Sequence, residues 1–192
     1  MKLDVLLEKP SNKILLSLFI ATFILLFVFI NILFAPIWMH FPAGYGFNEF
    51  KFAWTKAKMD EILGVWMAHP EDLIGLMIYA HIIDFFFMGV YGTLLSTGTL
   101  LVARALGDIR IFQQIYLWCF FLGWIAVILD VIEGINIYAV LFNPTNVMEI
   151  NTFSAALSTT ICIQLIGVNL ILILIGFVIV AIVYLKARIK KD

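Results

Sequence analysis

Charged residues are scarce in this chain: Asp, Glu, Lys and Arg make up only 13% of its 192 residues, whereas 64% are hydrophobic. A soluble domain carries about 25% charged and about 45–50% apolar residues, so the composition excludes an ordinary soluble protein and predicts an integral membrane protein. The formal net charge is only −1. Because no basic patch lies outside the flanks of the apolar runs, nucleic acid is not an expected partner.

Common catalytic motifs are also missing. The chain has no H-E-x-x-H, G-x-S-x-G or C-x-x-C sequence and no glycine-rich phosphate loop. Its two cysteines, Cys119 and Cys162, fall in apolar runs at different depths, so we expect small core residues and no disulfide. We therefore favour a protein that is not an enzyme, and we predict neither a cofactor nor a dedicated metal site.

Four apolar runs reach the length of about 20 residues that a membrane-spanning helix needs. They cover residues 14–34, 73–101, 115–141 and 153–185. The first run exceeds the usual signal-peptide core of about 7–15 residues, and the following Ala35-Pro36-Ile37-Trp38 indicates a helix stop with an interfacial aromatic. The sequence predicts an all-α, polytopic membrane protein: a four-transmembrane-helix bundle forming a single domain over residues 1–192.

Basic residues are distributed unevenly around these runs. Nine lie in the N-terminal flank, the second connection and the C-terminal tail, and three lie in the first connection. The nine are Lys2, Lys9, Lys13, Arg104, Arg110, Lys186, Arg188, Lys190 and Lys191, and the three are Lys51, Lys56 and Lys58. The positive-inside rule therefore predicts a multi-pass plasma membrane protein with both termini in the cytoplasm.

The first connection is the longest, and it contains a helical pattern over residues 48–68. Phe52, Met59, Leu63 and Trp66 recur at helical spacing, while Lys51 stays off that stripe. This pattern is typical of an amphipathic helix in the outer headgroup layer. Packing of this helix on the mouth of the bundle and a role in partner binding or as a lid explain the pattern equally well.

Three carboxylates, those of Asp84, Asp130 and Glu133, lie inside the apolar runs, and none of those runs contains a Lys or Arg. A charge at that depth is costly unless it is paired, protonated or hydrated, so such acids indicate a functional site. At 1.5 Å per residue, Asp84 and Asp130 each lie about 17 Å from the extracytoplasmic end of their helix. Gln164 lies at a similar level on the fourth helix.

Helical spacing also places His81, Asp84 and Tyr91 on one face of the second helix. We therefore predict one pocket between the second, third and fourth helices. Its candidate ligand-binding residues are His81, Asp84, Tyr91, Asp130, Glu133 and Gln164. The pocket could exchange protons, hold a cation, or bind a small amphiphilic molecule or lipid with an amine or hydroxyls. Alternatively, Asp84, Tyr91, Asp130 and Gln164 form a hydrogen-bonded packing clamp in a structural or interaction module.

Several short motifs support a family resemblance. The second helix contains Tyr79, Ile83-Asp84-Phe85-Phe86-Phe87 and Tyr91-Gly92, preceded by Met59-Asp60-Glu61-Ile62-Leu63, and the third contains Asp130-Val131-Ile132-Glu133-Gly134. Residues 56–141 thereby resemble a family of uncharacterised four-helix prokaryotic membrane proteins with Y…D-x-x-F…Y-G and D-x-x-E-N motifs. Gly134 replaces the usual Asn.

That resemblance implies only that the acids of the second and third helices belong together. A looser likeness, in topology and intramembrane acids alone, is to the sterol-handling EXPERA proteins. It adds a lipid- or sterol-modifying enzyme as a further alternative. Besides the bilayer, the sequence indicates no particular protein partner or homo-oligomer.

Overall fold

The computed structural model describes residues 3–107 and 109–189, and it is 84% helical without a strand in that part of the chain. The helices, in chain order, are α1 (Leu3–Glu8), α2 (Asn12–Val28), a π-helical segment (Phe29–Phe34), α3 (Ala35–Trp38), α4 (Phe47–Lys51), α5 (Lys56–Ala68), α6 (Leu73–Ala105), α7 (Arg110–Leu141) and α8 (Glu149–Ile189). The prediction of an all-α fold is confirmed. Lys2, Lys190 and Lys191, which entered the charge argument, lie outside the described residues.

Four helices are long and apolar enough to cross a membrane: Asn12–Trp38, Leu73–Ala105, Arg110–Leu141 and Glu149–Leu185. They coincide with the four predicted runs and indicate a multi-pass membrane protein. Each extends a few residues beyond its predicted run, α6 only at its C-terminal end. Asp72 caps the start of α6, where its Oδ1 accepts a hydrogen bond from the main-chain N–H of Gly75 at 2.8 Å.

The first long helix ends at Trp38, the last residue of the predicted stop Ala35-Pro36-Ile37-Trp38, and so includes Pro36. A proline inside an α-helix loses one hydrogen bond, and its ring clashes with the carbonyl four residues earlier. The wider π-helical segment Phe29–Phe34 precedes the proline, and the N–H of Ala35 there bonds to the carbonyl of Ile30, five residues back. The proline therefore falls within the first turn of α3, where a missing N–H costs little.

Helix α6 is the centre of the bundle. It packs on α2, α7 and α8, and α7 also packs along α8, whereas the backbones of α2 and α8 do not pack closely on one another in the described chain. The first and fourth long helices meet over α6 through side chains, such as the rings of Phe19 and Phe177, whose centroids are 5.9 Å apart. We call the end of the bundle that contains residues 39–72 and 142–148 the acidic end, and the opposite end, with α1 and Arg104, the basic end.

The first connection forms two short helices where the sequence predicted one over residues 48–68. Helix α4 ends at Lys51, and α5 begins at Lys56 after Thr55, whose hydroxyl accepts a hydrogen bond from the N–H of Lys58 at 3.3 Å. This N-cap defines a new helix start, and that start breaks the predicted stripe. Phe52 consequently remains 38% exposed, whereas Met59 and Trp66 are 1% exposed.

Helix α5 packs its apolar face against the bundle. Met59, Ile62, Leu63 and Trp66 are all buried, and they share one core with residues from α6 and α7. That core includes Leu73, Met77, Ala80, Ile137, Val140 and Leu141. The first connection therefore covers the acidic end with a folded layer that fixes the position of α4.

Candidate functional site

A cavity of about 250 Å³ lies at the acidic end, beneath α4. Its walls come from the first long helix, α4, α6, α7 and α8. The lining residues are Ile30, Phe34, Trp38, Phe47, Asn48, Lys51, Phe52, Asp84, Phe87, Tyr91, Asp130, Glu133, Thr159, Cys162, Ile163 and Ile166. The three carboxylates predicted from the sequence all border the cavity. Lys51, a charged residue that was not predicted to belong to the site, borders it as well.

The Lys51 ammonium joins the acids of two helices. Its Nζ lies 3.0 Å from Asp84 Oδ2 on α6 and 2.8 Å from Glu133 Oε1 on α7. The contact with Asp84 is a hydrogen bond. Glu133 Oε1 accepts no hydrogen bond within the described residues, so its contact with Lys51 is an ion pair of poor hydrogen-bond geometry. The side chains of Asp84 and Glu133 are 8% and 2% exposed, so this pair is shielded from solvent.

Local packing directs Lys51 into the cavity. Its neighbour Phe50 is 1% exposed and stacks on Trp66 of α5 at a ring-centroid distance of 4.7 Å. Phe50 thus anchors α4, and the helical turn places Phe47 and Lys51, four residues apart, on the face above the acids. The Lys51 ammonium lies 4.7 Å from the centre of the Phe47 ring, within cation–π range.

The surroundings keep Lys51 charged. Burial by itself lowers the pKa of Lys51, but the negative charges of Asp84 and Glu133, with a smaller effect from Asp130, outweigh burial and hold that pKa above its ordinary value. A raised pKa means that the ion pair contributes its stability fully at neutral pH and loses it only in strongly alkaline solution. Lys51 therefore carries its positive charge at neutral pH.

Asp130 has a different partner from the other two acids. The Tyr91 hydroxyl donates a hydrogen bond to Asp130 Oδ2 at 2.9 Å and lies 3.7 Å from the sulfur of Cys162. The thiol of Cys162 in turn contacts the carbonyl oxygen of Ala126 at 3.4 Å. No ion pair to Asp130 occurs in residues 3–107 and 109–189, so its carboxyl group is the acid of this site without a basic partner.

An aromatic wall faces these charges. Five cavity-lining rings follow one another in contact, with centroid distances between 5.5 and 5.9 Å. They are Phe47, Trp38, Phe34, Phe87 and Tyr91, in spatial order. The wall begins at the ring beneath the Lys51 ammonium and ends at the hydroxyl that binds Asp130. The cavity is therefore carboxylate-rich on one part of its surface and aromatic on another.

Two predicted site residues do not line the cavity. His81 is 1% exposed and lies between Phe47 and Tyr138, where its Nδ1 donates to the carbonyl oxygen of Met77 at 3.1 Å. This bond runs along its own helix, so the predicted place of His81 among the ligand-binding residues is not supported by the lining of the cavity. Gln164 is exposed on α8, because its direction on the helix differs from that of Cys162 and Ile163, which do line the cavity.

Within the described residues, no three His, Cys, Asp or Glu side chains converge closely enough to hold a metal ion. The position between Asp84 and Glu133 is already filled by the Lys51 ammonium. Cys119 and Cys162 are both free thiols.

Comparison with known proteins gives no relative. No protein-family model, curated protein or solved structure significantly matches the chain. The resemblance described for residues 56–141 therefore stays an expectation.

Proposed function

We propose that this chain is a plasma membrane protein with both termini in the cytoplasm, and that it binds a membrane-borne amphiphile in the cavity at the acidic end. On this orientation the acidic end lies in the outer half of the bilayer. The observation that carries the proposal is a partly apolar cavity that contains buried charges and is bordered by exposed apolar side chains, among them those of Trp38 and Ile163.

The exposed apolar side chains that border the cavity favour a ligand that arrives from lipid. The first long helix and α8 both contribute to the walls, although their backbones do not pack together. Trp38, Phe52 and Ile163 border the cavity and are 41%, 38% and 53% exposed. A rim of exposed apolar side chains suits contact with acyl chains, whereas a site for a water-soluble ligand would have a polar entrance.

The size of the cavity favours partial enclosure of the ligand. Sites that bury a whole drug-sized molecule measure about 300–1,000 Å³, and this cavity of about 250 Å³ lies just below that range. We infer that it encloses the polar head and the first part of an apolar chain. The remainder of the chain stays between the first and fourth helices or in the bilayer.

The alternatives from the sequence are weaker at this geometry. A bound metal ion would compete with an ammonium already placed between two carboxylates. A packing clamp explains the Lys51 ion pair, but it gives no reason for a cavity or for a third carboxylate that lacks a matched cation. Catalysis would need a nucleophile or acid–base pair that the cavity lining does not single out.

The test uses protein in nanodiscs and a set of dodecyl amphiphiles with cationic, neutral and anionic heads. A ligand that binds only the folded protein stabilises it by RT ln(1 + [L]/Kd), about 2.7 kcal/mol at 100 times Kd. We expect at least one amphiphile to raise the melting temperature. Ile163→Trp, which fills the cavity entrance, should abolish that rise.

Ile171→Trp is the matched control, because Ile171 is also exposed on α8, at 58%, but does not line the cavity. This variant should respond to the amphiphile as the wild type does. If no amphiphile stabilises the protein, or if the two tryptophan variants respond alike, the proposal is wrong.

A further inference from the structure

We propose that the head of this amphiphile is an alkylated ammonium group, with a quaternary ammonium as the best fit. This inference rests on the proposed function and specifies the chemical class of its ligand. Three features of the cavity support it: the charge of its lining, the aromatic wall, and the way in which Lys51 is already held there.

The charge of the lining favours a cationic head. Three carboxylates line the cavity, and Lys51 is the one Lys or Arg among the lining residues. Lys51 is shared by Asp84 and Glu133, which leaves Asp130 with a hydrogen bond from the Tyr91 hydroxyl. A cationic head would favour the ionised form of Asp130, whereas an anionic head would meet a lining with three acidic groups and one lysine.

The aromatic wall favours an alkylated cation over a small hydrated one. Trp, Tyr and Phe faces attract ammonium groups by 0.5 to about 2 kcal/mol each, and a cage of such rings is the recognised mode of binding quaternary ammonium. Methyl groups on the nitrogen also gain apolar contact with the rings. Trp38, Phe34 and Phe87 supply such surface without a hydrogen-bond acceptor, which an alkylated nitrogen does not require.

Lys51 demonstrates the binding mode within the protein itself. Its side chain is an alkylammonium whose nitrogen lies within 3.0 Å of two carboxylate oxygens and 4.7 Å from the centre of an aromatic ring. A related arrangement recurs further along the cavity, where Asp130 accepts a hydrogen bond from Tyr91, whose ring packs on that of Phe87. We assign the ligand's ammonium to this second position.

The experiment measures saturable binding of radiolabelled dodecyltrimethylammonium to the full chain in nanodiscs of a neutral glycolipid, which contains no ammonium head. Empty nanodiscs give the partition background. Three unlabelled competitors separate head from chain: tetramethylammonium, dodecanol and dodecyl sulfonate. We expect dodecyltrimethylammonium to compete at least tenfold better than dodecanol or the sulfonate, and tetramethylammonium to compete weakly because it has no chain.

Two variants locate the head. Asp130→Asn keeps the size and most hydrogen bonding of the side chain, and we expect it to weaken dodecyltrimethylammonium binding about tenfold, the change that corresponds to 1.4 kcal/mol. Trp38→Leu should weaken it several-fold while dodecanol binding changes less. Asp60→Asn, which alters an exposed acid on α5, is the matched control and should bind as the wild type does.

The outcomes distinguish this inference from the proposed function. If dodecanol competes as well as dodecyltrimethylammonium, or if Asp130→Asn leaves binding unchanged, the ammonium assignment is overturned while amphiphile binding stands. If tetramethylammonium competes as strongly as dodecyltrimethylammonium, the ligand is a water-soluble ammonium, and the proposal that the ligand is an amphiphile is overturned. Absence of any saturable binding overturns both.

Discussion

Lys51 and Arg104 are held at opposite ends of the bundle, and their partners differ. Lys51 contacts two buried carboxylates. Arg104 donates instead to the carbonyl oxygen of Leu6, at 2.7 Å from Nη2, and to Asn12 Oδ1, at 2.9 Å from Nη1. The first contact neutralises charge between helices, whereas the second ties the N-terminal segment to the end of α6.

The spaces beside these two cations differ in the same way. A cleft of about 290 Å³ at the basic end lies against Arg104, and like the acidic-end cavity it is bordered by the first long helix, α6 and α8. No carboxylate and no aromatic wall line it; its single ring is that of Phe177. Two spaces of similar size thus differ in chemistry, which teaches that volume alone does not identify the site here. The acidic side chains and aromatic rings that line the acidic-end cavity identify it.

The comparison predicts that Lys51→Met is far more destabilising than Arg104→Met. Removing Lys51 leaves two buried carboxylates without a counter-charge, a change that typically costs about 3–5 kcal/mol. The carbonyl groups freed by Arg104→Met can bond to water at the end of the bundle. The loss of stability in this variant should therefore be smaller. The free energy of unfolding in mixed micelles measures both.

Lys56→Met is the control for this comparison. Lys56 pairs with Asp60 on the surface, where both side chains are 43% exposed. Exposed pairs contribute about 0–1 kcal/mol. Equal losses for the Lys51 and Lys56 variants would show that the pair above the cavity is not effectively buried.

The basic end should be more sensitive than the acidic end to added volume on α8. A methyl group at Gly176 would collide with Val102 Cγ1 and lie 2.7 Å from the Tyr116 hydroxyl oxygen. Overpacking of this kind costs about 1–3 kcal/mol. Gly167→Ala, on the same helix near the cavity, meets no atom within 4 Å and should be nearly neutral in the same unfolding measurement. A larger loss for Gly167→Ala would contradict the described packing.

The smallest expected effect concerns the hydrogen bond to Asp130. Tyr91→Phe removes it and keeps the ring, and hydrogen bonds between membrane helices contribute on average about 0.6 kcal/mol. Tyr79→Phe, on the same helix but 54% exposed, is the control and should leave stability unchanged. If Tyr91→Phe were as costly as Lys51→Met, the acids would act mainly as a packing clamp.

The long helices and the depth of the acids could be predicted because both depend on position along the chain. An apolar run of sufficient length predicts a spanning helix, and a constant rise per residue predicts depth. The direction in which a side chain points is a separate property. Gln164 lies at the depth of Asp130 but points away from the cavity, so equal depth was insufficient evidence for including it in the site.

Lys51 was missed because the first connection was interpreted as one helix. Within a continuous helix over residues 48–68, Lys51 lies on the polar face and away from the bundle. A signal was present nonetheless. Lys56 with Asp60 and Lys58 with Glu61 have the spacing of helix-surface ion pairs, and the structure confirms both. Lys51 is the basic residue of that connection without such a partner, while three acids in the membrane needed a counter-charge.

The chain position of Lys51 has a consequence for biosynthesis. Lys51 precedes Asp84 by 33 residues, so a ribosome completes the counter-ion before it makes any of the three acids. In a chain inserted helix by helix with the proposed orientation, α6 would bring Asp84 into the bilayer with its partner already exported on the same side. Glu133 joins the pair last, when α7 enters. The order of synthesis thus shortens the period during which each buried carboxylate lacks a partner.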